Sequence, residues 1–460
     1  MQYIVISDLH IGVENSLAIF HAQKSLADFL RVIGDEPTTL VINGDFVDFL
    51  AVISPEAPQE FARFDRTTAQ KKVAAIIAAP DNHNFLWPGF RAFLAHNTAN
   101  RIDVLLGNHD VELVFDEVQT ALQSVMASSG EAERVRFRCS AVSLPGLEVG
   151  GVSIRLEHGF QYDPYNWYEL SDLLNATQNG QNGADFVLPY GSSFVYDVLN
   201  ELTPKHPFLP LLKPEPGVFW IMLALNPEDT RQLTAGGAGM QVDSLVKRLR
   251  MWLGDIKTQY TTLEVDRFAG RDAAGDQLMN APGLRRQKGL WGNIRDFLAD
   301  APSATAAAKR QGQLALLRSR LEKLRADRDA FFDFANAQGD DFQRGYDDMI
   351  EQGYQVAVLG HSHARKLKWL NTPDETARLL YVNTGTWADL LDFDITQLQT
   401  DGALERWLQQ LDAKQFTPTR IFTFARLTER AGGRGALVSL ENWDGQRANL
   451  VQPPEIVEQL

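Results

Sequence analysis

The sequence predicts an α/β protein whose core is built from layers of strands and helices. Short apolar runs, rich in leucine and β-branched residues, end in polar or glycine-containing segments, as buried strands do. Helical patterns lie between and after the early runs, and this alternation favours a layered α/β core. The predicted strands are Tyr3–Ser7, Thr39–Ile42, Ile102–Leu106, Val152–Leu156, Gln355–Leu359 and Leu379–Val382, and the predicted helices are Ser16–Val32, Thr67–Ala79 and Val111–Ser128.

Composition excludes several classes of protein. The 460 residues are 44% hydrophobic and 22% charged, which is typical of a folded globular chain rather than a disordered one. A net charge of −15 excludes a protein that coats nucleic acid, so no stable nucleic-acid binding is expected. The single cysteine, Cys139, excludes an internal disulfide and is expected to be an idle thiol.

The apolar runs and the first residues of the sequence bear on where the protein is expected to be located. The longest strongly apolar run, Val218–Leu225, has eight residues, whereas a membrane-spanning helix needs about 20. The first residues carry no basic segment followed by an apolar one, as a secretory signal would. We therefore expect a cytoplasmic protein, and peripheral membrane contact remains compatible with the sequence.

The middle of the chain differs from its two ends. Residues 166–345 contain almost no strand signal, so we interpret them as a helical insertion, or cap, in a core formed by 1–165 and 346–460. Within the cap, Leu314–Ala335 has the apolar spacing of a helix that packs on a neighbour or, alternatively, joins a coiled coil with a partner. Residues 246–328 contain 17 Lys+Arg and nine Asp+Glu. They form either a solvated basic face or a surface that attracts an anionic substrate.

Side chains that bind metals follow the predicted strands. Five of the nine histidines come shortly after a strand, each near Gly, Asp or Asn. One such motif alone would be an ordinary surface turn, but the carboxyl ends of strands in an open α/β sheet line a common crevice. The residues expected to meet there are Asp8, His10, Asp45, Asp48, Asn108, His109, His158, His361 and His363.

This set of side chains suits transition metals. Imidazole is a poor ligand for Mg²⁺ or Ca²⁺, whereas a mixed nitrogen and oxygen set suits Mn²⁺, Fe or Zn²⁺. Seven or eight ligands are too many for one such ion and suit two ions that share a carboxylate. Two metals at about 3.5–4 Å can activate a water and clamp a phosphoryl group. The sequence therefore predicts two divalent transition metal ions, with Mn²⁺ expected first and Fe or Zn²⁺ as alternatives.

The chain resembles the calcineurin-like metallophosphoesterases over about residues 1–165 and 346–400. The motifs that carry the resemblance stand in that family's order: Asp8-x-His10, Gly44-Asp45, Gly107-Asn108-His109-Asp110, His158-Gly159 and Gly360-His361-x-His363. The resemblance implies a four-layer α/β/β/α sandwich, here interrupted by the helical cap. It also implies metal-dependent hydrolysis of a phosphomonoester or phosphodiester by a metal-bridging hydroxide.

The resemblance also implies a role for each position. Asp8, His10 and His363 would bind one metal, Asn108, His158 and His361 the other, and Asp45 would bridge them. His109 would face the leaving-group oxygen as a general acid or charge stabiliser, held by Asp48, while Asn108 would also stabilise charge on the phosphoryl group. No side chain would act as the nucleophile, which leaves Cys139 idle.

Departures from related patterns bear on the substrate. Phe49 follows Asp48 where protein phosphatases of this superfamily have a phosphate-gripping arginine, which argues against a phosphoprotein substrate. Hydrolases that cleave UDP-diacylglucosamine are an alternative, together with other lipid or envelope phosphoesterases, but they carry arginine where this chain has His109. A non-catalytic metal-binding scaffold is a third alternative, against which the intact Asp45, Asn108 and His109 argue.

Three further residues are candidates for substrate binding. Asp163 and Asn166 lead from the core into the cap and either orient metal ligands or touch substrate; alternatively, they form a turn fixed by Pro164. Arg365 follows the last metal motif and is expected either to contact phosphate or to form a surface salt bridge. The expected substrate is an anionic phosphoester, either a small molecule or a nucleotide-like one.

Overall fold

The computed structural model describes the two ends of the chain and part of its middle. Most of the basic stretch 246–328 and of the predicted helix Leu314–Ala335 lies outside the described residues, so both stay predictions from the sequence. The described residues are 1–53, 61, 63–141, 143–144, 146–163, 166–178, 181–212, 221–222, 224–225, 310–315, 317–319, 321–322, 348–372, 376–391 and 398–459.

The strands form two sheets. They are β1 (Gln2–Ile6), β2 (Thr38–Asn43), β3 (Arg101–Leu105), β4 (Val135–Arg138), β5 (Leu147–Val149), β6 (Val152–Leu156), β7 (Val356–Leu359), β8 (Lys366–Asn371), β9 (Arg378–Asn383), β10 (Phe422–Glu429), β11 (Ala436–Trp443), β12 (Ala448–Leu450) and β13 (Glu455–Val457). The first sheet has the order β12-β11-β10-β1-β2-β3-β4, with β13 paired to β11, and the second has the order β5-β6-β7-β9-β8. The neighbours from β1 to β4 are parallel, as are β6, β7 and β9.

The named α-helices of the described residues follow strands of both sheets. They are α1 (Gln23–Ile33), α2 (Arg66–Ala78), α3 (Trp87–His96), α4 (Asp116–Met126), α5 (Leu170–Thr177), α6 (Tyr190–Phe194), α7 (Asn200–Leu202) and α8 (Asp401–Asp412). The α2 helix begins where the Asp65 carboxylate accepts a hydrogen bond from the Thr68 amide, which satisfies one of the free amides of a helix start. Thr400 caps α8 in the same way.

Two helix predictions need correction. The predicted helix Ser16–Val32 begins only at Gln23, because the residues before it form a loop: the Leu17 amide binds the Asn15 side chain and the Ile19 carbonyl accepts from the Asp389 amide. The predicted helix Val111–Ser128 is a 3₁₀ turn followed by α4. The six predicted strands are present, with ends that differ by at most one residue.

The core lies on both faces of the first sheet. Along β1, Ile4 and Ile6 pack with the helices, whereas Val5 packs with strands of the second sheet. Strand β2 repeats this pattern, since Leu40 and Ile42 face the helices and Val41 faces the other sheet. Alternate side chains of a strand point to opposite faces, so continuous apolar runs require cover on both. The predicted α/β sandwich is confirmed.

The chain divides into two compact units. One comprises residues 1–196, 345–390 and 419–460, and it contains both sheets. The other comprises residues 197–344 and 391–418, and it contains α8. The division of the chain into a core of 1–165 and 346–460 and a cap of 166–345 stays a prediction. Among the described helices, none has the length and apolar character needed to cross a membrane.

Candidate metal centre

The predicted ligands lie on tight turns that follow the strands. Six non-glycine residues in the described parts of the chain have a positive φ, and five of them are predicted metal ligands: Asp8, His10, Asp45, His361 and His363, with φ between 50° and 66°. A left-handed backbone costs an L-residue roughly 1–2 kcal/mol and is concentrated at functional sites. Hydrogen bonds between the turns offset this cost, because the Asp8 and His10 amides donate to the Gly44 and Asp45 carbonyls.

One group of ligands joins the turns after β1 and β7. Asp8, His10 and His363 each offer a ligand atom, and these atoms lie within 4.8 Å of one another. His363 Nε2 is 3.2 Å from Asp8 Oδ1 and also 3.2 Å from His10 Nε2. All three residues are buried. The structure therefore brings together the three residues that were predicted to bind one metal.

A second group joins the turns after β2, β6 and β7. Asp45, His158 and His361 also offer ligand atoms within 4.8 Å of one another. His158 Nδ1 lies 2.8 Å from the Asn43 carbonyl, to which it donates, so in the neutral ring Nε2 carries the lone pair. That Nε2 lies 3.2 Å from Asp45 Oδ2. The Gly44 backbone passes so close that an added Cβ would lie 2.4 Å from the His158 ring.

His109 and Asp48 lie beside the first group. His109 Nδ1 is 3.2 Å from Asp48 Oδ1, and the His109 ring meets the His10 ring edge-on at 4.6 Å. His10, Asp48 and His109 also have ligand atoms within 4.8 Å, so their distances alone would suit a metal ligand. The His109 side chain is 20% exposed, whereas Asp48 is buried. This partial exposure suits the predicted contact of His109 with a leaving group.

The Asn108 side chain indicates whether the cluster of predicted ligands suits a cation. Its Oδ1 is buried and accepts no hydrogen bond from any described residue, which is costly for an amide oxygen unless a ligand or ion occupies it. Its Nδ2 donates to Asn166 Oδ1 at 3.3 Å, so the amide orientation is fixed. Together with the mixed carboxylate and imidazole donors, this buried oxygen suits the binding of divalent metal.

The charges of the cluster support the same conclusion. Burial raises the pKa of Asp8, but the neighbouring charges of His363 and His158 outweigh it and lower that pKa below its usual range. Burial lowers the pKa of His158, but Asp45 and Asp8 outweigh it and raise that pKa. Without a cation, Asp45 and Asp8 therefore favour the protonated form of His158. Binding of a metal ion to His158 would compete with this protonation.

Several supporting residues carry no sequence signal of their own. The Ser7 hydroxyl donates to Asp8 Oδ2 and lies 2.6 Å from Thr384 Oγ1, and Thr386 Oγ1 donates to the Asp8 carbonyl at 2.7 Å. Asn43 Nδ2 bonds to carbonyls of the second sheet, which ties the end of β2 to that sheet. Serine, threonine and asparagine are common beyond strands. Thr384 and Thr386 alone belong to a longer polar segment, which follows β9 and could have suggested them.

The three tentative substrate residues lie in two different environments. Asp163 is buried, and its Oδ2 is 2.9 Å from His361 Nε2. Asn166 bonds both to Asp163 and to Asn108. Arg365 is exposed, and no ion pair within 4.0 Å is found for it among the described residues. Its predicted contact with phosphate stays a prediction.

Cys139 is a packing residue. It is buried, its Sγ donates to the Leu113 carbonyl at 3.3 Å, and burial raises the pKa of the thiol. A thiol with a raised pKa is a poor nucleophile. These contacts agree with the predicted idle thiol.

Comparison with known families gives one match. Residues 1–205 match the family described as calcineurin-like phosphoesterase. A search of curated proteins finds no match to the chain. The matched residues include Asp8, His10, Asp45, Asn108 and His158, whereas His361 and His363 lie beyond them and reach the same cluster through β7.

Proposed function

Because the chain belongs, through residues 1–205, to the calcineurin-like phosphoesterase family, we propose that it is a metal-dependent hydrolase of phosphoesters. The observation that carries the proposal is the pair of adjacent, largely buried groups, Asp8 with His10 and His363, and Asp45 with His158 and His361. Members of that family are generally hydrolytic. We also propose that two ions are bound, that Mn²⁺ is the native metal, and that Asn108 completes the second ligand group.

The residues of this chain have separate tasks in the proposed reaction. Bound divalent ions supply a water of lowered pKa and polarise a phosphoryl oxygen. Asp45 lies beside both ligand groups, since its Oδ2 is 3.6 Å from His10 Nε2 and 3.2 Å from His158 Nε2, which suits a bridge. His109 Nδ1 faces Asp48, so its Nε2 is the atom that gives a proton to the departing alcohol.

His109→Ala is expected to lower turnover by about 10²–10⁴-fold, which is the usual contribution of a positioned general acid or base. The metal content should stay at the wild-type value, because the role of His109 is to transfer a proton. Elemental analysis of the purified variant, together with turnover of p-nitrophenyl phosphate, measures both quantities.

A matched control is His83→Ala, which removes an exposed histidine that no ligand group contains. This control should keep wild-type turnover. Near-normal turnover in His109→Ala would refute the acid role. A lost ion in His109→Ala would instead make His109 a metal ligand.

Removal of metal is expected to abolish hydrolysis, and added Mn²⁺ is expected to restore it. The measurement is turnover of p-nitrophenyl phosphate, a monoester, and bis-p-nitrophenyl phosphate, a diester, before and after exhaustive chelation. Restoration should be fullest with Mn²⁺ if that ion is native. Full activity in a sample that elemental analysis finds free of metal would refute the proposal. Absence of hydrolysis of either substrate with two ions bound would favour the metal-binding scaffold.

The proposed substrate is an anionic phosphoester, either a small molecule or a nucleotide-like one, hydrolysed in the cytoplasm. The basic stretch 246–328 supports an anionic substrate by its charge alone. A screen of phosphorylated metabolites against the metal-loaded protein identifies the class. Turnover of a UDP-linked lipid, or flotation of the protein with anionic liposomes, would instead favour the lipid and envelope alternative.

A further inference from the structure

The segment that follows β6 contacts two candidate ligands of one metal. Asp163 Oδ2 lies 2.9 Å from His361 Nε2 and 2.7 Å from Asn166 Nδ2, and Asn166 Oδ1 lies 3.3 Å from Asn108 Nδ2. Asn108 and His361 lie far apart in the sequence. Two residues, Asn166 and Asp163, link them through hydrogen bonds. We propose that Asp163 and Asn166 are positioning residues that set the affinity and geometry of the metal position formed by Asn108, His158 and His361. The inference rests on the proposed function only in assuming that these ligands bind a metal.

The proton positions give Asp163 a specific effect. An ionised carboxylate can only accept, so His361 Nε2 must carry the hydrogen in this contact. The lone pair of a neutral imidazole then lies on Nδ1, which leaves that nitrogen to bind metal. A carboxylate that holds a ligating histidine in this way is the usual outer partner of a metal site. Asp163 is buried, so little water competes for its oxygens.

Asn166 has the corresponding effect on Asn108. Its own amide is fixed at both ends, because Nδ2 donates to Asp163 and Oδ1 accepts from Asn108 Nδ2. The Asn108 amide is therefore held with Nδ2 toward Asn166, which leaves its buried Oδ1 on the other side of the group. One carboxylate oxygen thus orients a nitrogen ligand directly and an oxygen ligand through Asn166.

Helix α6 holds this arrangement from the other side. The Gly191 backbone lies so near Asn166 that an added Cβ would be 2.2 Å from Oδ1 and 2.9 Å from Cγ. Ser192 Oγ also lies 3.5 Å from the Asn108 carbonyl. A methyl group at position 191 would have to displace the end of the Asn166 side chain. Such a displacement disturbs Asn166 without removing any polar group.

The test measures Mn²⁺ binding directly. Metal-free full-length protein is titrated with Mn²⁺ by calorimetry, and the bound ions are counted by elemental analysis. Wild-type protein should bind two ions per chain. Asp163→Ala and Asn166→Ala should weaken one of the two by about 10–100-fold, the usual effect of losing an outer partner, and leave the other unchanged. Gly191→Ala should weaken the same ion, and Asp163→Asn, which keeps an acceptor oxygen, should recover part of the affinity.

The control is Glu169→Gln, which removes an exposed carboxylate from the same segment and should keep both affinities. Unchanged affinity for both ions in the Asp163, Asn166 and Gly191 variants would overturn the inference, even if their KM for substrate rose. Equal weakening of both ions together with a lower Tm would also overturn it, because that result indicates general loosening. Wild-type protein that binds fewer than two ions overturns it as well. Two bound ions without hydrolysis would refute the proposed function and leave this inference standing.

Discussion

Asp45→Asn is expected to lower turnover by about 10³-fold or more while the protein remains folded. A metal ion contributes several kcal/mol of transition-state stabilisation, and about 1.4 kcal/mol corresponds to a factor of ten. The Asp45 carboxylate lies beside both ligand groups, so we expect loss of its charge to weaken both proposed metal positions. Turnover of p-nitrophenyl phosphate at saturating Mn²⁺, with elemental analysis of bound metal, measures the effect.

Asparagine is the informative replacement because of the backbone at this position. Asp45 has φ 50°, a conformation that asparagine adopts more readily than alanine. Its side-chain oxygen can also still accept from the His109 amide, as Asp45 Oδ1 does at 2.9 Å. The matched control is Asp103→Asn, a buried carboxylate on β3 that pairs with Arg138. Wild-type turnover in Asp45→Asn, or an equal loss in the control, would refute the role of Asp45.

Lys72→Met is expected to lower the free energy of unfolding by about 3–5 kcal/mol, the cost of leaving a buried charge without its partner. Lys72 Nζ lies 3.1 Å from Glu112 Oε1 and 2.6 Å from the Tyr196 hydroxyl, and the Lys72 side chain is 0% exposed. Burial lowers the pKa of Lys72, but Tyr196 and Glu112 outweigh it and raise that pKa, so the amine stays charged. Urea denaturation followed by circular dichroism measures the change.

The neighbouring lysine supplies the control. Lys71 is exposed on the same helix, and Lys71→Met should change the stability by no more than about 0.5 kcal/mol. The double variant Lys72→Met/Glu112→Leu removes both charges and should recover most of the loss, since a buried ion pair is often replaceable by apolar side chains of similar volume. If Lys72→Met is as stable as the Lys71→Met control, the buried Glu112 carboxylate does not depend on the Lys72 amine for stability, and the prediction is refuted.

The strands and the ligand types could be predicted because both are local properties. A short apolar run followed by a polar turn is visible in a few consecutive residues, and the motifs from Asp8 to His363 each follow such a run. Even so, the local pattern overextended the first helix, because the hydrogen bonds that hold residues before Gln23 in a loop come partly from Asp389. Helix α3, Trp87–His96, was not predicted, although its buried residues Trp87, Phe90, Phe93 and Leu94 follow a helical spacing.

The sequence by itself determined the class of the core and the residue types of the metal centre. Repeating apolar runs require burial on both faces, and imidazole with carboxylate donors restricts the metals. Only the tertiary structure decided how these residues are arranged: that five predicted ligands take a left-handed backbone, that Asp163 contacts His361, and that Lys72 rather than Lys71 is buried. The physical reason is distance along the chain. Each of these facts depends on atoms contributed by segments tens to hundreds of residues apart, and no local pattern records which segments meet.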